Sequence, residues 1–308
     1  MKIGLTLAQL GSFANPDSVL TMARDAEARG YDSLWVIDRL LDPVHPRSRY
    51  PVSADGRIPT EQQTALDPLV TLAHAAAVTS RIGLGTNVLV APWYRPVLLA
   101  RSLASLDVLS RGRLAIGLGL GWSADEYAAV GVPQRNLAAR QLELIDALEA
   151  LWGDGPVSYG GHDFNVPITH IRPRPQQRPR PPILLAAYTP AGLRRAGQRA
   201  DGWTPSGLDL PTTAAMWNVV TNAAEDAGRD PRQLSLVVHA NVKDTGADAG
   251  PHRTTFHGSI RQIGADLRQA AAIGVHEVIL YVQGSTTSVQ EALDLADRVR
   301  AAALPLAA

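Results

Sequence analysis

The chain has no cysteine. Disulfides, thiolate nucleophiles, iron–sulfur clusters and cysteine-ligated zinc are therefore excluded. Lysine is nearly absent, with Lys2 and Lys243 alone, so Schiff-base chemistry has almost no candidate nucleophile. No apolar run approaches the roughly 20 residues a membrane helix needs. The first residues enter a strand pattern at once instead of a charged-then-apolar leader. A cytoplasmic protein with no membrane partner is expected. Net charge is missing too: 29 basic residues balance 29 acidic ones, so there is no electrostatic footprint for nucleic acid. With 45% hydrophobic and 19% charged residues, the 308-residue chain reads as globular, with room for one large α/β domain or two small ones.

What is present is a repeat of strand and helix patterns. Short, mostly apolar runs at 2–7, 33–37, 82–89, 114–118, 183–186, 201–203, 234–241 and 277–282 read as strands covered on their outer face. Helical segments follow each of them. Asn15-Pro16-Asp17 and Asp67-Pro68 carry a cap and an early proline. A helix is predicted over about 96–109 and a short one after Trp122. Leu137, Leu144, Ile145, Leu148 and Leu151 keep helical spacing through about 134–152. Further helices are predicted from Thr189-Pro190, over 212–227 and 258–273, and from Ser288 to the end. Eight such units predict a closed (β/α)8 TIM barrel, an α/β fold; an open doubly wound sheet is comfortable with six strands. One domain, 1–308, is expected. Two stretches interrupt the repeat. Residues 39–64, after the second strand, form a long polar loop of the kind that serves as a lid. Residues 153–182, after the fourth helix, are a Pro-rich insertion expected to run as an extended, polyproline-like connector.

In a barrel, ligands sit at the C-terminal ends of the strands. Those ends hold few paired carboxylates and no His-x-His pair, so no metal is expected; His252 and His257 are a weak pair. Gly119-Leu120-Gly121-Trp122-Ser123-Ala124 matches G-x-G-x-x-G/A in form. The acid 20 residues on, Glu143, falls in a helix instead of ending the next strand, so the match is not a dinucleotide fingerprint. Glycines there still let backbone come close to a flat ligand. Ser123 reads as a helix cap ahead of a nucleophile. Ala186-Ala187-Tyr188-Thr189 leads into a helix start, where free N–H groups can meet phosphate. The arginines between Arg172 and Arg180 read as a solvated spacer. Trp35 reads as core, and Trp122 and Trp203 as able to stack on a ring or to pack.

Several phrases together resemble the bacterial luciferase-like monooxygenase superfamily, and within it the F420-dependent oxidoreductases. They are Asp38-Arg39-Leu40-Leu41, Asp67-Pro68-Leu69, Arg81 to Thr86, Leu106 to Arg113, Gly117 to Trp122, Pro181-Pro182-Ile183 and Arg199 to Trp203. The resemblance covers about residues 1–205 well and the rest loosely. It implies a barrel with an insertion, and a cofactor ring resting on a bulge at Asn87-Val88 with a non-proline cis peptide. Asp38, Val88, Gly119 and Trp122 would bracket the ring, and Ala186, Ala187, Tyr188 and Thr189 would meet its phosphate. The implied activity is hydride transfer between deazaflavin C5 and a small organic substrate. Arg39 stands where many relatives have His, and Trp122 where some sugar-phosphate dehydrogenases have Glu; the lysines that hold an anionic substrate are missing. A less polar substrate among Arg39, Tyr94 and Trp122 is therefore expected, with Arg39 and Trp122 as the candidate catalytic residues. Arginine is a poor general acid, so a proton would pass through water, substrate or His45. FMN is the alternative cofactor, in a two-component monooxygenase with a partner flavin reductase. A non-redox barrel enzyme and a cofactor binder without turnover are the readings from other classes. A homodimer is expected.

Overall fold

The computed structural model describes residues 1–53 and 55–303. In chain order the strands are β1 (Lys2–Thr6), β2 (Ser33–Val36), β3 (Gly83–Val90), β4 (Leu114–Gly119), β5 (Val157–Gly160), β6 (Asn165–Thr169), β7 (Ile183–Leu185), β8 (Gly202–Trp203), β9 (Ser235–Asn241), β10 (Lys243–Asp244), β11 (His257–Gly258) and β12 (Glu277–Tyr281). Eight of them close in the order β1-β12-β9-β8-β7-β4-β3-β2. All pairings in this ring are parallel, and the seam runs from Lys2 opposite Glu277 to Leu5 opposite Leu280. The fold is thus the eight-stranded barrel that the repeat predicts.

The helices are α1 (Pro16–Ala28), α2 (Pro68–Ala76), α3 (Pro96–Leu109), α4 (Ala124–Ala129), α5 (Leu137–Leu151), α6 (Pro190–Arg199), α7 (Leu210–Asp226), α8 (Ile260–Ala272) and α9 (Val289–Ala303). Their starts follow from local chemistry. Asn15, Asp67, Thr189 and Asp209 each accept a hydrogen bond from a backbone N–H three residues on. Ser259 and Gln262 satisfy each other's backbone in a capping box. The expected continuation of the last helix past Ala303 lies outside the described residues.

Two apolar layers result. The larger lies between strands and helices. The smaller fills the barrel: Trp35, Leu184, Val237 and Ile279 meet there from β2, β7, β9 and β12. Trp35 leaves no room beside it, because a Cβ on Gly85 would lie 2.3 Å from its ring. Its indole N–H donates to buried Glu277 at 2.8 Å.

The insertion differs from its expected form. β5 and β6 pair antiparallel as a hairpin, because Val157, Phe164 and Val166 can bury themselves. The extended stretch begins only beyond it. Its arginines are a solvated spacer only in part: Arg172 and Arg178 are exposed, while Arg174 bonds Asp154, and Arg180 bonds Glu149 and Asp201. The 243–257 loop contributes β10 and β11, a small parallel pair.

The 39–64 segment is pinned where it leaves the barrel. Gln9 donates to Ile37 O and Leu66 O, at 2.7 Å each, and so ties the two ends together. Buried Glu126 accepts from Leu40 N and Leu41 N. Arg47 pairs with Asp125 at 2.7 Å. The segment is thereby laid across the start of α4.

Candidate functional site

The site is built around an irregularity in β3. Its register with β4 shifts between Thr86 and Leu89, and the peptide bond between Asn87 and Val88 is cis. Each residue of this bulge is held. The Thr86 hydroxyl donates to Gly117 O and accepts from Gly117 N. The Asn87 amide donates to Thr204 Oγ1. Val88 is left to face the cleft. Gly119 is required on the neighbouring strand, since a Cβ there would lie 2.4 Å from Val88 Cγ2. The glycines of this motif thus serve first to admit the bulge, with ligand approach second.

Asp38 stands beside the bulge and does not line the cleft. Its carboxylate accepts from Val90 N at 3.0 Å and from Tyr94 OH at 2.8 Å. Burial pushes its pKa up to about 6 against the pull of those two hydrogen bonds. Tyr94, spent on Asp38, does not line the cleft either.

A cleft of about 620 Å³ runs from the bulge across β4 and β7 to the start of α6. It brings together Asn87, Val88, Gly119, Trp122 and the run Ala186, Ala187, Tyr188, Thr189. At its far end Thr189 caps α6 by accepting from Gly192 N at 3.1 Å. A Cβ on Gly192 would meet Ala187 at 3.1 Å and an Arg195 guanidinium nitrogen at 3.6 Å. The helix start and an arginine therefore share one small space. Trp203 packs: it is fully buried against Trp217, and its indole donates to Ala187 O, steadying that wall.

Gln141, which the sequence did not single out, lines the same cleft from the first turns of α5. It is 3% exposed, and its amide nitrogen has no hydrogen-bond partner. A buried donor without a partner is costly, and this one is placed to meet a ligand oxygen.

On the lid side, Trp122 lines the cleft with its ring edge-on to Tyr50 at 5.3 Å. Arg39 lies beneath both rings, 5.3 Å from Tyr50 and 5.8 Å from Trp122, with its Nε buried and unpartnered. It does not reach the cleft itself. Ser123 is the expected cap, its hydroxyl accepting from Glu126 N. One acidic and histidine group, Glu143 with His162 and Asp163, has metal-like spacing among the described residues. Glu143, however, is occupied by backbone N–H groups of Asp163 and Phe164 and so clamps the insertion hairpin.

The site is thus a bulged third strand, small residues on the fourth and a capped helix after the next barrel strand, at the C-terminal mouth of an eight-stranded barrel. A profile of the luciferase-like monooxygenase family matches residues 4–249, and the chain belongs to that family. An uncharacterised protein of Mycobacterium tuberculosis is 34% identical over 224 residues, 72% of this chain and 78% of its own. A Kineococcus radiotolerans protein named F420-dependent glucose-6-phosphate dehydrogenase is 31% identical over 234 residues, 74% of this chain and 64% of its own. The solved structure of monooxygenase RslO1 from Streptomyces bottropensis superposes with a TM-score of 0.79 over 97% of both chains at 21% identity, a likeness of fold. No helix among the described residues is long and apolar enough to cross a membrane.

Proposed function

We propose that the protein is an F420-dependent oxidoreductase that transfers hydride between the deazaflavin C5 and a small organic substrate. The observation that carries this reading is one continuous cleft with two chemically different ends. One end offers the apolar face of Val88 to a flat ring. The other offers the start of α6 and the Arg195 guanidinium to an oxyanion, and the unpartnered Gln141 amide opens on the same cleft. A ring joined by a polyhydroxyl chain to a phosphoryl group has that same division, and the F420-dependent relative agrees with it.

The cofactor would supply the carbon that accepts or gives the hydride. The chain's own residues orient it. Val88 backs the ring, while Thr189 and Gly192 present the helix start to the phosphoryl group with Gln141 as an added donor. Trp122 and Tyr50 cover the cleft from the lid side and exclude water. Arg39 holds that aromatic pair from below by cation–π contact and brings a fixed positive charge close to the cleft.

The test is a titration with F420 and with FMN, followed by quenching of tryptophan fluorescence. Tight binding of F420 and weak binding of FMN is the expected result. Gln141→Leu removes a donor to a charged group and is expected to weaken F420 about 10-fold or more. Preference for FMN, with oxygen consumed in turnover, would move the protein to two-component monooxygenation. Binding of neither would end the redox reading.

A further inference from the structure

The long segment after β2 is fastened at two places of different character, and both lie on the first turn of α4. The inner one is Glu126, whose carboxylate accepts from Leu40 N at 2.7 Å and from Leu41 N at 3.0 Å. Glu126 is 3% exposed. Pulling those donors away would leave a buried carboxylate short of partners, which is costly, so this end stays in place. The outer one is Asp125. It accepts from Arg47 Nε at 2.7 Å and from Arg47 N at 2.8 Å, while Arg47 Nη2 donates to Ala124 O at 3.0 Å. Ser48 Oγ adds a bond by accepting from Ala124 N. The Arg47 side chain is 59% exposed, so water replaces its partners at little cost.

Between the two lie residues 42–46, mostly exposed, with Val44 at 88%. Pro43 and Pro46 restrict the backbone there, so the stretch acts as a stiff arm. What the arm carries is the cover of the cleft. Tyr50, edge-on to Trp122, and Pro51 and Val52, which line the cleft, come within four residues of Ser48. Arg47 and Asp125 themselves do not line the cleft, so a ligand seated there does not touch their contact.

We propose that Arg47 and Asp125 form the latch of a lid hinged at Glu126, and that the opening of this latch sets the rate at which the cleft takes up and releases its ligand. The proposal rests on the deazaflavin reading only for the choice of ligand. Arg47 and Asp125 are positioning residues, acting through Tyr50, Pro51 and Val52. Because the latch lies outside the cleft, it opens for entry as for exit, and the open fraction multiplies both rates. Weakening it therefore raises both together and leaves the affinity nearly where it was. A residue that touched the ligand would instead change the release rate and the affinity with it.

The experiment uses the full chain with F420 as the probe ligand. Binding and release are timed by stopped-flow tryptophan fluorescence, and amide hydrogen exchange of the chain alone is followed by NMR. Arg47→Ala and Asp125→Ala are each expected to speed both binding and release about 5–10-fold, with F420 affinity changed less than about 2-fold. The double variant should go no further than Asp125→Ala, because the two residues act as one contact. In Arg47→Ala the Ala124 amide, whose partner is Ser48 Oγ, should exchange about 10-fold faster, while the Leu40 and Leu41 amides on Glu126 keep their protection. Wild-type rates of binding and release in both variants, or wild-type protection of the Ala124 amide in Arg47→Ala, would overturn the latch. So would a rise in release alone with affinity falling to match, since the pair would then be holding the ligand itself. Failure of the wild-type chain to bind F420 would end the cofactor reading alone, and the Ala124 amide would still decide the latch.

Discussion

Asp38 carries one of the motifs by which the chain resembles its family, yet its carboxylate is spent on Val90 N and Tyr94 OH. Burial raises its pKa from 3.8 to about 6. Between those values the native state holds the proton more tightly than the unfolded chain. The stability this gives is fully present below about pH 4 and is lost as pH rises through about 6. Asp38→Asn keeps an oxygen for both donors and removes the titration. The variant is expected to gain on wild type between pH 4 and 7, measured by urea unfolding at both values. An unchanged difference would mean that the carboxylate titrates elsewhere. The motif placed Asp38 beside a ring; the structure has it outside the cleft lining, bonded to Val90 N and Tyr94 OH beside the bulge. Gln141 was harder to find. It is a lone polar residue inside a helical run, and only closure of the barrel decides which direction such a residue faces.

At the scale of elements, the phrases that announced the family are mostly scaffolding. Asp107 in the Leu106 to Arg113 phrase is fully buried and accepts from Gln177, which fixes the extended stretch after the hairpin. Arg113 in the same phrase donates to Ile82 O and Thr79 O and so ties the end of α2 to β3. The eight strands were legible because their apolar runs are separated by capped helices. The hairpin β5–β6 was not, because Gly160, Gly161 and the prolines after it resemble a connector, and Val157, Phe164 and Val166 find cover only against neighbouring elements. The bulge was legible only through the resemblance. Its dependence on β4 gives a direct test. Gly119→Ala puts a methyl 2.4 Å from Val88 Cγ2, and a valine held on a bulge has little freedom to turn away. The variant is expected to stay folded at a cost of about 1–3 kcal/mol. It should lose most of its F420 affinity by fluorescence titration, because the ring's floor has moved. Wild-type affinity in a folded variant would show that Val88 does not support the ring.

At the scale of the whole molecule, the barrel is a ring with no free edge, so a fault in its filling is shared by every strand. The inner layer is small: Trp35, Leu184, Val237 and Ile279, with Ala115 against them. Trp35 is the one large side chain among these, and two glycines, Gly4 and Gly85, have no space for a Cβ beside it. It also gives Glu277 a hydrogen bond at the seam where β12 meets β1. Burial, with the Asp32 charge, pushes the Glu277 carboxyl up, while its bonds from Ser33 and Trp35 oppose that rise. Trp35→Ala therefore leaves a void in the centre and removes a donor from a buried acid in one step. The expected loss is about 3–5 kcal/mol from the void, with a further share from the unpaired acid. Trp35→Phe separates the two effects: it keeps most of the volume and loses only the donor, so it should fall between wild type and alanine. Because all eight strands are hydrogen-bonded into one closed ring around the layer, chemical unfolding of each variant should remain a single transition seen alike by fluorescence and circular dichroism. Two separated transitions would show that part of the ring can hold its packing without the rest.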